Sequence, residues 1–338
     1  MSATAAILGC SGPRLTAEEA AFFRDVRPWG FILFARNIET PDQVRRLTTA
    51  LRETVGRGDA PILIDQEGGR VQRLGPPQWR AYPPGRAYGD LPAAERREVT
   101  RLGARLIAHD LAGLGINVDC VPVLDVPDPE GHEIIGDRAY GDTPDDVALL
   151  GRAACEGLIA GGVLPIVKHI PGHGRAKADS HLELPVVEAS WADLDARDFA
   201  PFRALSDMPM AMTAHVIYAS VDAERSATTS EIIFERVIRG AIGFDGLVMS
   251  DDLSMQALTG SFAERAAESL AAGCDVVLHC NGDMAEMRAV IDGAGELSGR
   301  AAERASAALS RVPGTPEPLD VAEAVARFEA AFQGRWAA

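Results

Sequence analysis

Lysine is almost missing from this chain: of 33 basic residues only Lys168 and Lys177 are lysines, and both fall in one stretch. Basic charge as a whole is scarce, with 33 Lys and Arg against 49 Asp and Glu and a formal net charge of −16. So acidic a surface repels polyphosphate and anionic headgroups, which excludes general nucleic-acid binding and docking on a membrane surface. Paired cysteines are lacking too. Cys10, Cys120, Cys155, Cys274 and Cys280 are scattered and odd in number, with neither zinc-site spacing nor the density of a small disulfide scaffold. They read as buried free thiols in a reducing cytoplasm. No run approaches the roughly 20 apolar residues that span a bilayer. Ile7-Leu8-Gly9-Cys10 looks like a lipoprotein cleavage box, but no basic residue precedes it and its apolar run is short, so it reads as a first strand. The expectation is a soluble, cytoplasmic globular protein. With 338 residues, 47% of them hydrophobic, it can build a large core.

What is present is a rhythm. Short apolar runs at 4–9, 30–34, 61–64, 117–124, 164–167, 208–214, 246–250 and 275–279 are near-continuous rather than alternating, as parallel strands covered on both faces require. Helical patterns follow near 16–27, 41–56, 95–114, 144–161, 190–206, 230–241, 261–272 and 283–296. Their starts carry signals: Thr16 with Glu19 as a capping box, and Thr40-Pro41 and Thr143-Pro144 as caps before a first-turn proline. Eight alternations predict an α/β protein of the (β/α)₈ barrel type. An open doubly wound sheet is the rival, weakened because no Gly-x-Gly-x-x-Gly turn follows the first strand. The sequence has no short-period repeat and no low-complexity linker. The expected organisation is one catalytic barrel over 1–297 and a helical extension over 298–338 packed on it, with a last helix near 319–333.

In such a barrel, chemistry sits where strands end and βα loops begin. The third run ends in Asp65-Gln66-Glu67-Gly68-Gly69-Arg70, the fifth in Lys168-His169, the sixth in His215 and the seventh in Asp251-Asp252. Long loops at 66–94, 125–143 and 170–189 hold Arg73, Arg138, His173, Asp179 and His181. Loops this long inside a compact domain are commonly lids or binding loops. Each residue has a plainer explanation to set beside the functional one. Asp252 can be a helix cap, His215 a hydrogen-bonded structural histidine, Gly68-Gly69 a tight turn and Lys177 a solvated loop residue. Lys168 differs, because a chain that otherwise uses arginine has put a compact ammonium at a strand end, where it can grip a hydroxyl or carbonyl.

His169, His173 and His181 lie within one 13-residue stretch, which suits either a metal site or acid–base chemistry. No His-Glu-x-x-His or other common zinc pattern is present. For acid–base work, Asp179 stands two residues before His181 and can accept from one ring nitrogen, orienting the imidazole and favouring its protonated form. A carboxylate nucleophile at Asp251 opposite that pair would make a glycosidase-like constellation. Spacing alone does not choose between metal and acid–base use.

Five ordered motifs do. Residues Ile64-Asp65-Gln66-Glu67-Gly68-Gly69-Arg70-Val71-Gln72-Arg73, Gly136-Asp137-Arg138-Ala139-Tyr140, Lys168-His169-Ile170-Pro171-Gly172-His173-Gly174, Asp179-Ser180-His181 and Ser250-Asp251-Asp252-Leu253-Ser254-Met255 closely resemble the bacterial N-acetyl-β-glucosaminidases of glycoside hydrolase family 3 that act in peptidoglycan recycling. The resemblance runs from the first strand to about residue 295. Its one small departure is Ile170, where phenylalanine is common. It implies Asp251 as the nucleophile of a covalent glycosyl-enzyme and His181, paired with Asp179, as the general acid/base on a mobile loop. It implies Asp65, Arg73, Arg138, Lys168 and His169 as ligands of a terminal N-acetylglucosamine, released from 1,6-anhydro-N-acetylmuramic acid muropeptides. Neither a metal nor an organic cofactor is implied, nor an obligatory protein partner. The alternatives are a β-N-acetylglucosaminide phosphorylase, a metal-dependent barrel hydrolase and a non-catalytic sugar-binding barrel. Gly172 and Gly174 are expected to serve as hinges of the acid-bearing loop.

Overall fold

A computed structural model of the chain describes residues 2–180 and 182–333. Eight parallel strands close on themselves: β1 (Thr4–Gly9), β2 (Pro28–Leu33), β3 (Ile62–Ile64), β4 (Val118–Asp119), β5 (Leu164–Ile170), β6 (Met210–Thr213), β7 (Leu247–Asp252) and β8 (Val276–His279). Each pairs with its neighbours in sequence, and β8 returns to β1 through Ala6 opposite Val277 and Ile7 opposite Leu278. The fold is the (β/α)₈ barrel that the alternation of apolar runs predicts.

Alternation along each strand splits the core in two. Ala5 and Ile7, Leu164 and Ile166, Met210 and Met212, and Leu247 and Met249 point inward and fill the barrel. Ala6 and Leu8 on one side, and Val167, Ala211 and Val248 on the other, face outward onto the helices. The helix starts form as their sequences dictate. Thr16 accepts from the Glu19 N–H in a full capping box, and Thr40 and Thr143 cap helices Pro41–Val55 and Pro144–Ala160.

Several elements depart from the sequence reading. The run at 117–124 pairs regularly only over Val118–Asp119, because Pro122 has no N–H to contribute; beyond it a single bridge joins Val123 to Lys168. Conversely β5 and β7 run past their apolar stretches, to Ile170 and Asp252. The helix expected at 190–206 is three pieces, Trp191–Asp193, Leu194–Asp198 and Ala200–Ala204, with a wide turn in which the Phe199 N–H bonds the Leu194 carbonyl. Unforeseen are a hairpin of Gln66–Gly68 with Val71–Gln72 and a small sheet of Val186–Val187, Ile217–Tyr218 and Asp222–Ser226; the helical extension begins with a helix at Gly299–Leu309 whose bounds the sequence did not mark. That helix presses Ala305 and Ala308 against the barrel interior, below Ala5 and Trp29, while Val321–Ala331 lies on helix Arg96–Ala112. Among the described residues no helix is long and apolar enough to cross a membrane.

Helices Arg96–Ala112 and Pro144–Ala160 pack closely because Gly157 faces the partner backbone: a Cβ there would lie 2.3 Å from the Arg101 carbonyl oxygen and 2.8 Å from Ala104 Cβ. Gly157→Ala gains about 1 kcal/mol of helix propensity, but overpacking against backbone costs about 1–3 kcal/mol. A net loss is expected, read as a lower urea midpoint at unchanged slope. A midpoint equal to or above that of the unaltered protein would contradict the close approach.

Candidate active site

The inward phase of the strands continues past the apolar core. Two residues beyond Leu63 comes Asp65, two beyond Ile166 comes Lys168, and two beyond Met249 comes Asp251. All three line a cavity of about 310 Å³ at the C-terminal end of the barrel. Register shifts occur beside two of them, between Lys168 and Ile170 on β5 and between Met249 and Asp252 on β7. An extra residue in one strand re-aims side chains, and His169 and Asp252 join the lining as well.

Charge in the cavity is tightly paired. Lys168 Nζ donates to Asp65 Oδ1 at 3.0 Å and lies 2.7 Å from Glu67 Oε1. Arg73 reaches Asp65 Oδ2 at 3.0 Å, and Arg138 grips Glu67 with two bonds of 2.8 Å. Burial alone would push both carboxyls up. The adjacent cations outweigh it, holding Asp65 well below the usual carboxylate range and Glu67 down at about 2. Burial would likewise lower the Lys168 ammonium, yet Asp65 and Glu67 hold it above its ordinary value. One N–H bonds Asp65 while the ammonium also pairs with Glu67, which leaves donor capacity for a ligand.

Asp251 is different. Its Oδ1 accepts from the Asp252 N–H at 2.8 Å, and Oδ2 has no hydrogen bond among the described residues. Burial opposes its charge, but His169, His215, the Asp252 N–H and Lys168 together bring its carboxyl below the ordinary value. Asp252, by contrast, is spent on structure: it accepts from the Ser254 N–H and hydroxyl and from the Cys280 N–H. His215 is fully buried between Thr228 and the Asp252 carbonyl, and it acts on Asp251 only through the field. Lys177 sits on the surface beside Glu130.

The residues expected at the site therefore sort clearly. Asp65, Arg73, Arg138, Lys168, His169 and Asp251 line one cavity. Asp179 adjoins it through Ser180, which is in the lining, and His181 lies outside the described residues. Asp125 escaped the sequence reading, while Glu67 and His173 stood in its polar stretches without an assigned role. Glu67 ties Arg138 to Lys168, and its place two residues from Asp65 in an extended hairpin was the available signal. Asp125 accepts from His169 Nδ1 at 2.6 Å and from the His173 N–H at 2.6 Å. It directly follows the fourth apolar run, just as Asp65 follows the third. His173 lines the cavity and is held neutral, with burial and the neighbouring His169 pushing it down to about 4. Gly172 and Gly174 are not free joints here. A Cβ on Gly174 would lie 2.0 Å from the Val126 carbonyl oxygen, whereas Gly172 adopts a φ of +134° and its carbonyl accepts from Tyr218 at 2.6 Å; close approach accounts for the first and backbone conformation for the second.

Residues 7–313 match the model of the glycosyl hydrolase family 3 N-terminal domain. The chain belongs to glycosyl hydrolase family 3. A β-hexosaminidase of Pseudomonas aeruginosa is 39% identical to this family 3 chain over 313 residues, 92% of the chain and 87% of the relative. A β-hexosaminidase of Methylococcus capsulatus is 39% identical over 274 residues, 80% of each. Among solved structures, NagZ from Neisseria gonorrhoeae in complex with N-trifluoroacetyl-D-glucosamine superimposes with a TM-score of 0.86 at 32% identity, covering 98% of both chains.

The Glu67 pairing makes a pH-dependent expectation for this family 3 barrel. Glu67→Gln leaves Arg138 and Lys168 buried without their shared anion, and loss of one partner of a buried pair costs about 3–5 kcal/mol. Because the folded-state value is depressed to about 2 from 4.5, this contribution is complete above about pH 4.5 and fades as pH falls toward 2. Urea titrations of both proteins from pH 7 downward should show the stability gap narrowing in acid. A gap that stays constant would remove the ionic role of Glu67.

Proposed function

We propose that this chain is a retaining exo-β-N-acetylglucosaminidase that acts in the cytoplasm during cell-wall recycling. Its substrates are 1,6-anhydro-N-acetylmuramic acid muropeptides, from which it removes terminal N-acetylglucosamine. The observation that carries the reading is the state of Asp251. Four carboxylates line the cavity, Asp65, Glu67, Asp251 and Asp252. Three spend their oxygens on fixed partners, whereas Asp251 keeps Oδ2 without a hydrogen bond among the described residues and is held ionised. An anion left open at the end of a barrel strand is what displacement at an anomeric carbon requires.

In the first step an Asp251 oxygen forms a bond to the anomeric carbon while the glycosidic C–O bond breaks. The leaving oxygen takes a proton from the imidazolium of His181, which Asp179 orients. In the second step water attacks the same carbon, neutral His181 accepts its proton, and the Asp251 carboxylate is released. An imidazole has an unperturbed value of about 6.5, so it needs less tuning than a carboxyl to serve as both acid and base near neutrality. Asp65, Arg73, Lys168, Arg138 and His169 offer donors and acceptors to the sugar hydroxyls and the acetamido group. The remaining Lys168 N–H and the second lone pairs of Asp65 suit that work.

Hydrolysis of a chromogenic N-acetyl-β-glucosaminide by the purified protein, with and without phosphate, tests the activity. Free sugar in both conditions is expected, and a sugar phosphate would instead support the phosphorylase alternative. Asp251→Ala should abolish turnover of every substrate; substantial residual hydrolysis would contradict the nucleophile role. His181→Ala should damage disaccharides far more than aryl glycosides with acidic leaving groups. Equal losses on both would take His181 out of the acid role.

A further inference from the structure

The loop that carries Asp179 and His181 has a firm base. The Gly174 carbonyl accepts from the Asp128 N–H, Ala176 is tied to His132, and Arg175 bridges Asp128 and Asp198 at 3.2 and 2.7 Å. At the far end the Pro185 carbonyl accepts from Ile217. Between these anchors, Lys177, Leu182 and Glu183 are exposed, and Ala178, Asp179 and Leu184 are partly so. Ser180 is the one buried residue among those described in 177–184, at 3% exposure. Its hydroxyl lies 3.1 Å from His173 Nε2.

His173 is itself immobilised. Its N–H is held by Asp125 at 2.6 Å, its ring stands edge-on to His169 with centroids 5.7 Å apart, and its side chain is 4% exposed. Asp125 thus holds the His169 ring in the sugar cavity and the His173 backbone beneath the loop. Ser180 stands between the two members of the Asp179–His181 pair, so whatever places its hydroxyl places both neighbours to within a residue's length.

We infer that His173 and Ser180 form a clasp that sets the docked position of the acid/base segment, with His173 as a positioning residue acting through Ser180. This inference rests on the acid/base reading of His181. A neutral imidazole suits the role, because it bonds a hydroxyl without placing a second fixed charge beside Asp251. Loss of the clasp leaves His181 in the chain but lets it dock in more than one place, so protonation of the leaving oxygen suffers while nucleophilic attack does not.

The test compares kcat/KM of Ser180→Ala on two N-acetyl-β-glucosaminides, one with a poor alkyl leaving group and one with dinitrophenol. A buried hydrogen bond of this kind corresponds to a loss of about 10-fold, expected on the alkyl glycoside, with under about 3-fold on the dinitrophenyl one. His173→Gln should show the same split. In the His173→Gln background Ser180→Ala should add no more than about 2-fold, since the two residues act as one unit. Azide, which needs no general base, should raise kcat of both variants on the dinitrophenyl substrate and yield a glycosyl azide. Equal losses on the two substrates, no loss at all, or multiplying effects in the double variant would overturn the clasp. If His181→Ala in parallel keeps its leaving-group dependence, the acid/base reading survives that failure. If His181→Ala shows none, the reading itself has failed and the clasp with it.

Discussion

The centre of the site, Asp65, Lys168 and Asp251, depends on the two-residue period of an extended strand. Leu63, Ile166 and Met249 point inward because the barrel interior must be filled. Asp65, Lys168 and Asp251 then follow on the same face, one step nearer the solvent. No loop has to be bent to bring them together. The closed hydrogen-bonded ring that buries the apolar layer also fixes the distances between the polar groups above it, and rigid elements hold such groups better than loops do.

Charges placed there must be paired, because most of these side chains are buried. Asp65 and Glu67 face Lys168, Arg73 and Arg138, so the paired cluster carries two carboxylates against three cations. The ionised form of Asp251 is favoured against burial by His169 and His215, the Asp252 N–H and, more weakly, Lys168. The same arrangement reconciles an overall charge of −16 with the anionic muropeptide proposed as the substrate. Acidic residues crowd the exterior, while buried and part-buried cations gather at one barrel end. The arrangement also explains why a chain so poor in lysine spends one here. A compact ammonium with three donors can touch Asp65 and Glu67 and still have an N–H to spare, whereas a planar guanidinium would have to choose a direction.

Much of the fold could be read from the sequence because parallel strands buried on both faces are uniform apolar runs, and because Thr16, Thr40 and Thr143 announce their helices. The polar ends of β5 and β7 could not be read as strand, since Lys168, His169 and Asp251 interrupt the apolar pattern, although the strands resume pairing beyond the register shifts at Ile170 and Asp252. Reading the residue just past each run found Asp65, Lys168 and Asp251 for the reason given above. The same rule, carried to the fourth run, would have found Asp125. Glu67 and Ser180 were harder. Their importance lies in partners far away in the chain, Arg138 and Lys168 for one and His173 for the other, and no local pattern encodes those pairings. The glycines of the 172–174 segment taught a related lesson: composition suggests freedom, whereas Gly174 has no room for a Cβ and Gly172 holds a φ of +134°.

The central claim is that Asp251 forms a covalent bond to the sugar. It is tested most directly with a 5-fluoro-N-acetylglucosaminyl fluoride, whose fluoride leaves readily and whose glycosyl-enzyme breaks down slowly. Intact mass measurement followed by peptide mapping should find one added N-acetylfluoroglucosaminyl group, on the peptide that contains Asp251 and on that residue. An adduct on any other residue, or rapid turnover with inversion and no adduct, would contradict the account.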